Sequence, residues 1–185
     1  MRRLFNNIVS VACSFVKFCL MKLALGSGFR FHPIERFSPN VVTEFNRGSR
    51  VSIGKMVRAH SGCKFKVRKG AEFTVESGVK FNYNCIAACQ DSIRIGEGTV
   101  FGPSVLLFDH DHDYRHPICE ERFLTAPISI GKNCWIGANT VILRGTTIGD
   151  NCVVGAGCVV KGEIPANSVV VQKRQTQLRT LEVLP

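Results

Sequence analysis

The sequence predicts an all-β protein, a parallel β-helix of stacked coils, and three observations predict it. Aliphatic residues recur at every sixth position, at Ile130, Ile136, Ile142, Ile148, Val154 and Val160, without a slip. Glycine follows several of them, at Gly131, Gly137, Gly149 and Gly155. A small residue stands four places after each of the first five, at Cys134, Thr140, Thr146, Cys152 and Cys158. Six residues make one short strand and one turn. An aliphatic in each unit lines a common interior, and the glycine permits the corner. Three such units close a triangular coil of about 18 residues, and each coil pairs with the coils on either side. An α-helix has no six-residue period, and an up-and-down barrel does not produce this glycine phase.

The elements follow in order. Residues 1–26 form an amphipathic helix: Phe5, Ile8, Val9, Ala12, Phe15, Val16, Cys19, Leu20 and Leu23 make one apolar stripe. Lys17 and Lys22 interrupt the run, which argues against a spanning helix. The helix is expected either to lie on the inner face of an anionic membrane, with Arg2, Arg3, Lys17 and Lys22 favouring the lipid, or to pack on the rest of the protein. Residues 27–50 are rich in turn formers and read as a lead-in with short strands. The β-helix domain spans 51–171. Its repeat is loose at VSIGKM, CKFKVRKG, AEFTVESG and VKFNYN, and tightens at IRIGEG and TVFGPS. Residues 172–185 form a C-terminal tail.

One break interrupts the rhythm. From Leu107 to Ile130 is 23 residues, which six does not divide, so one loop near 109–127 protrudes from the coil. It opens with FDHDHDYRHP at 108–117, which holds three histidines and three aspartates.

Composition narrows the partners. The 185 residues suit one domain, and 45% hydrophobic with 21% charged residues is a globular balance. A net charge of +10 points to an anionic partner, a membrane surface or a phosphorylated ligand. Aromatics do not interleave with the basic residues as base stacking requires, so no nucleic-acid partner is expected. Nine cysteines without a CxxC pair lack both a zinc-ribbon and a disulfide spacing, and suggest a reducing, cytoplasmic compartment.

The run ISIGKNCWIGANTVILRGTTIGDNCVVGAGCVVKGEIPANSVV resembles the hexapeptide-repeat acyltransferases, and within them the sugar O-acetyltransferase branch that includes galactoside and maltose acetyltransferases. The resemblance covers roughly residues 50–170 and implies a left-handed coil, a homotrimer and a cleft between neighbours that holds acetyl-CoA. It implies transfer of the acetyl group to a sugar hydroxyl, of a surface polysaccharide or its precursor, with no metal. The family's catalytic histidine stands 17 residues after the Ile of an upstream IG unit. From Ile95 that position is His112, the expected general base, and His110 misses it by two residues. Asn84, the second Asn of NYN, matches the residue that supports the reacting group. Trp135 matches the family's WIG tryptophan. Gly137, Ala138 and Ala156 match the turns that line the cofactor, and the Gly137–Ala138 turn is a candidate oxyanion hole.

Histidine suits a general base because its pKa lies near neutrality, and an aspartate is expected to orient it. Asp109, Asp111 and Asp113 are equally close in sequence, and the residues do not choose among them. Lys173, Arg174 and Arg179 are basic candidates for the cofactor's phosphates, with no motif to assign them, and Lys161 is a further cofactor-binding candidate; the family's GxPA ending is replaced by VVVQKRQTQLR. An N-terminal galactoside-binding domain is missing, which puts simple galactosides in doubt as substrates. Two other readings stand beside this one. The H-x-H-x3-H spacing of His110, His112 and His116 suggests a γ-carbonic-anhydrase-like zinc enzyme. A non-catalytic β-helix scaffold is the other.

Overall fold

The structure is a computed structural model that describes residues 2–173, without the side chains of residues 2–6 and 118. A single helix, α1 (Arg2–Leu25), precedes a parallel β-solenoid with three faces. The first face carries Phe29–Phe31, Arg50–Ile53, Glu72–Val75, Ser92–Ile95, Ile128–Ile130, Thr147–Ile148 and Glu163–Ile164. The second stacks Arg36–Phe37, Arg58–Ala59, Lys80–Phe81, Val100–Phe101, Trp135–Ile136, Val153–Val154 and Val169–Val170. The third stacks Val42–Phe45, Lys64–Val67, Ile86–Cys89, Leu106–Phe108, Val141–Leu143 and Val159–Val160.

The first coil begins at Phe29, so residues 27–50 are more than the expected lead-in: Phe29 pairs in parallel with Val51, Arg36 with Arg58 and Val42 with Lys64. The steps explain why the rhythm hid there. Phe29, Val51 and Phe73 are 22 residues apart, and Ile93 follows after 20. Only past the loop does the step become 18, from Ser129 to Thr147. The extra residues lengthen strands of the first and third faces to four residues, each with two inward side chains, such as Phe65 with Val67 and Phe73 with Val75. A wider interior needs larger groups to reach native packing density. Phenylalanines fill it, with Phe65–Phe81 at 4.9 Å and Phe81–Phe101 stacked at 4.8 Å. Past the loop the narrower coils hold Ile130, Ile136, Ile142, Ile148, Val154 and Val160, all buried. Cys134, Cys152 and Cys158 are buried with them, as small wall residues.

The first coil has no neighbour on its outer side, and α1 closes that end. Phe18 is fully buried, edge-on to Phe29, Phe31 and Phe37 at 5.0–5.5 Å. The coil's free backbone groups take polar side chains of α1. The Ser14 hydroxyl accepts from the Phe37 N–H at 2.9 Å, and Lys17 and Lys22 donate to the Val41 and Phe29 carbonyls at 2.6 Å each. A buried polar group left unpaired costs about 1–3 kcal/mol, which is why serine and lysine sit on this side. Burial lowers the pKa of Lys17. These two lysines therefore face the coil, in line with the second of the two expected arrangements, in which the helix packs on the rest of the protein. The opposite side of α1 exposes Ile8, Phe15, Val16, Leu20 and Leu23, with Leu23 at 83% exposure.

Glu35 occupies the inner corner position that Val57, Val79, Thr99 and Cys134 fill in later coils. Its Oε2 accepts from the Val57 N–H at 2.8 Å, and its Oε1 has no partner. Burial pushes its carboxyl up to about 8, against the weaker lowering by that hydrogen bond. Glu35 is thus protonated when folded, whereas an unfolded chain ionises it above an ordinary carboxyl pKa of 4.5. The stability it contributes is full below the unfolded value, declines as pH rises and is gone above about 8. Thermal unfolding at pH 5 and pH 8 is expected to show Tm falling by about 5 °C or more with rising pH in the wild type. Glu35→Gln is expected to remove most of that fall; an unchanged fall would assign it to other groups.

Candidate active site

Leu107 points into the core, and in an extended strand the residue two places on shares its direction. That residue is Asp109, whose carboxylate is wholly buried. The chain meets the burial with hydrogen bonds. Gln90 N–H donates at 2.8 Å to Oδ1, Asp91 N–H donates at 2.8 Å to Oδ2, and His110 Nδ1 lies 2.9 Å from Oδ1. Burial alone would push the Asp109 carboxyl up, but the His110 contact and the two backbone donors outweigh it and hold it below the usual carboxylate range. A carboxylate only accepts, so the His110 proton sits on Nδ1 and Nε2 is left as the acceptor in the neutral ring. This is the geometry by which a carboxylate fixes the tautomer and direction of a general base.

Asp109 is thus the aspartate hydrogen-bonded to a histidine, whereas the other two bond to arginines, with Asp113 also 3.9 Å from His116 Nε2. Asp111 Oδ2 accepts from Arg144 Nε at 2.6 Å. Asp113 accepts from Arg115 Nε and Nη2 at 2.7 Å each, and that guanidinium lowers its carboxyl to about 2. His110–His112 pairs antiparallel with Phe123–Thr125, so the protruding loop starts and ends as a hairpin. The His112 ring is exposed and rests on Phe123 at 4.7 Å, while His110 is half-buried and edge-on to the same ring at 5.3 Å. Both histidines line a groove of about 620 Å³. Cys89 also lines it, but burial and the Asp109 charge push its thiol up, so it remains protonated and is no nucleophile. Among the described residues no three His, Cys, Asp or Glu side chains converge as metal ligands, and His110, His112 and His116 are not brought together as a zinc site.

Other candidates lie elsewhere. Asn84 turns the corner before Ile86–Cys89, in the left-handed region at φ 60°, with its Oδ1 against Gly62 where any Cβ would collide. Gly137, Ala138 and Ala156 lie at that same corner edge. A Cβ on Gly137 would stand 2.5 Å from the Ala156 nitrogen, so these two turns pack backbone against backbone. The Gly137 N–H donates to the Val154 carbonyl at 2.7 Å; it belongs to the coil ladder and is not free to act as the expected oxyanion donor. Trp135 stands on the second face, 58% exposed. His110, His112 and the cofactor candidate Lys161 follow third-face strands, whereas Asn84, Gly137, Ala138 and Ala156 precede them. Within one chain the two groups thus occupy opposite edges of the third face. Lys173 is exposed, and Arg174 and Arg179 lie outside the described residues. Sequence reasoning missed Gln90, Asp91 and Arg144. It also passed over one available signal, that Asp109 continues the inward alternation of Leu107.

Comparison with known proteins agrees with the repeat fold. A profile described as the hexapeptide repeat of succinyl-transferase matches residues 127–161. Nodulation protein L of Rhizobium leguminosarum is 37% identical over 101 residues, 52% of this chain and 50% of that protein. The galactoside O-acetyltransferase of Escherichia coli is 38% identical over 89 residues, 48% of this chain and 44% of that protein. The chain spans about half the length of the curated relatives it matches. Among solved structures, a mutant of AntD, an N-acyltransferase from Bacillus cereus in complex with dTDP-4-amino-4,6-dideoxyglucose and coenzyme A, superposes with TM-score 0.65 at 18% identity, over 88% of this chain and 89% of that one. At that identity the likeness is one of fold.

Proposed function

We propose that this chain, which resembles the hexapeptide-repeat acetyltransferases, transfers the acetyl group of acetyl-CoA to a sugar hydroxyl, of a surface polysaccharide or its precursor. The buried Asp109 carboxylate on His110 Nδ1, at the wall of an open groove, carries the reading. His110 Nε2 takes the hydroxyl proton as the oxygen attacks the thioester carbonyl. The C–S bond breaks, and the imidazolium returns the proton to the departing thiolate. No covalent enzyme intermediate is needed, in keeping with the protonated Cys89. The sequence count places His112 in this role; the carboxylate partner favours His110. The turns at Gly137, Ala138 and Ala156, packed backbone against backbone, suit the thin pantetheine arm of the donor, with Lys173, Arg174 and Arg179 as candidates for its phosphates and Lys161 as a further cofactor contact.

A donor edge and a base on opposite sides of one face need a second chain, so the working unit is a homotrimer in which each groove meets a neighbour's edge. Asn84 and Trp135 then come from the neighbour. The exposed side of α1 rests peripherally on a membrane. Nine free cysteines suit a reducing, cytoplasmic compartment. The test is thiol release from acetyl-CoA with a panel of sugars, with mass spectrometry of the products and light scattering of the same sample. An alkali-labile acetyl ester and a mass near three times 20.4 kDa are expected. Acetyl-CoA that is bound but never discharged to any acceptor, or a monomer at all concentrations, would refute the corresponding part.

A further inference from the structure

We propose that Lys66, Arg68 and Lys69 form a phosphate subsite of the same groove, so that the acceptor is a sugar carrying a phosphate or diphosphate on its anomeric oxygen. The proposal rests on the acyl-transfer reading above for the sugar itself. All three cations line the groove that holds His110 and His112. The coil register sets their distance from the base. Phe108 pairs with Ala88, and Ala88 pairs with Lys66. Arg68 N–H donates to the Cys89 carbonyl at 2.9 Å, which places Arg68 beside Gln90, in turn beside Asp109. Lys66 and Arg68 are therefore two coils from the histidine level. Adjacent strands are about 4.8 Å apart, so the separation is roughly 10 Å. One sugar ring and its glycosidic phosphate fill that span, with a ring hydroxyl at His110 and the phosphate at the cations.

Among the described residues two charges of this row stand without an acidic partner, unlike Arg50 and Arg94 on the first face. On the first face Arg50 meets Glu72 at 2.9 Å and Arg94 meets Glu76 at 2.6 Å, each cation beside an acid of the adjacent coil. In the groove only Lys66 has such a contact, with Glu44 at 3.4 Å, and both side chains are well exposed. Among the described residues no acid pairs with Arg68 or Lys69. Glu121 is the one acid on the groove wall, opposed to three cations, and it comes from the loop. Arginine and lysine in a row bind phosphate oxygens by charge-assisted hydrogen bonds. The row rises from the histidines towards the first coil, away from Gly137, Ala138 and Ala156, so it is placed for the acceptor and not the donor. Two sources supply the shared chemistry, a soluble nucleoside-diphosphate sugar and a lipid-linked sugar diphosphate.

The experiment uses the full chain. Calorimetry with inorganic pyrophosphate, without acetyl donor, reads the subsite alone. Arg68→Ala and Lys66→Ala are expected to weaken binding about tenfold or more each, and Arg94→Ala, an equal loss of charge on the first face, is expected to leave it unchanged. Kinetics with nucleoside-diphosphate sugars, and with polyprenyl-diphosphate sugars in anionic vesicles, then identify the source; Arg68→Ala is expected to raise KM for whichever is used while kcat holds. Pyrophosphate binding that is absent, insensitive to Arg68→Ala or equally sensitive to Arg94→Ala overturns the proposal. So does a raised KM for acetyl-CoA in place of the acceptor, which would give the row to the donor. Sensitive pyrophosphate binding in a chain that transfers no acyl group leaves the phosphate site standing and overturns the transferase reading.

Discussion

His110→Ala is expected to lower acetyl transfer by roughly 10²–10⁴, about 3–5 kcal/mol of barrier, with the fold intact. The ring is half-buried at the root of a hairpin outside the coil core, so its removal opens no core cavity. His112→Ala is expected to cost much less, because among the described residues no side chain fixes its ring by a hydrogen bond; it only rests on Phe123. Asp109→Asn separates positioning from chemistry. The amide cannot reproduce an acceptor-only carboxylate, so the His110 tautomer is no longer fixed, and the Gln90 and Asp91 donors lose part of their partner. Activity is expected to fall no further than in His110→Ala, because the carboxylate acts only through that ring, and to be accompanied by a measurable drop in Tm. The measurement is thioester turnover with an identified acceptor, alongside thermal unfolding of all three variants. An inactive His112→Ala beside an active His110→Ala would return the role to the position counted from Ile95, and Asp109 would then be a corner-closing carboxylate only.

The two sides of α1 are expected to separate stability from membrane docking. Phe18→Ala empties a fully buried site among three aromatic rings, which typically costs 3–5 kcal/mol, or roughly 10 °C in Tm for a chain of this size. Leu20→Gln with Leu23→Gln changes only exposed positions and is expected to shift stability by less than about 1 kcal/mol. Yet each leucine offers about 1.5–3 kcal/mol of apolar transfer to a lipid interface, so the pair is expected to abolish flotation with anionic liposomes. Asn7–Gly28 has the length and composition to cross a membrane, but Ser14, Lys17, Phe18 and Lys22 hold one side of it on the first coil, which favours an in-plane helix. Wild-type protein that does not float, or a double variant that floats as well, would remove the membrane reading. A smaller assembly mass in the double variant would assign the face to contact between copies.

The regular coils past the loop were legible in the sequence because each of their six-residue units repeats one inward aliphatic and one small corner residue. All six aliphatics from Ile130 to Val160 are buried in the folded chain. The break before Ile130 was legible for the same reason, and with it the place of the histidine loop. The first coils were not legible, because lengthened strands with two inward residues each, as at Phe65 and Val67, dilute a period of six. The side of α1 that docks was not legible either. A stripe of apolar residues is normally the buried one, but an open solenoid end presents free carbonyls, and these drew Lys17, Lys22 and Ser14 inwards and left Leu20 and Leu23 outside.

The family resemblance pointed to a cleft between neighbouring chains that holds His112, Asn84 and Ala138, but sequence offsets carry no information about which edge of a triangular coil each residue occupies. Only the folded chain shows Asn84 and Ala138 on one edge of the third face and the histidines on the other. The choice among Asp109, Asp111 and Asp113 also belongs to the tertiary structure. The three share spacing and chemistry, but only Asp109 continues the inward alternation of Leu107, and a buried carboxylate must find donors where an exposed one can remain in water.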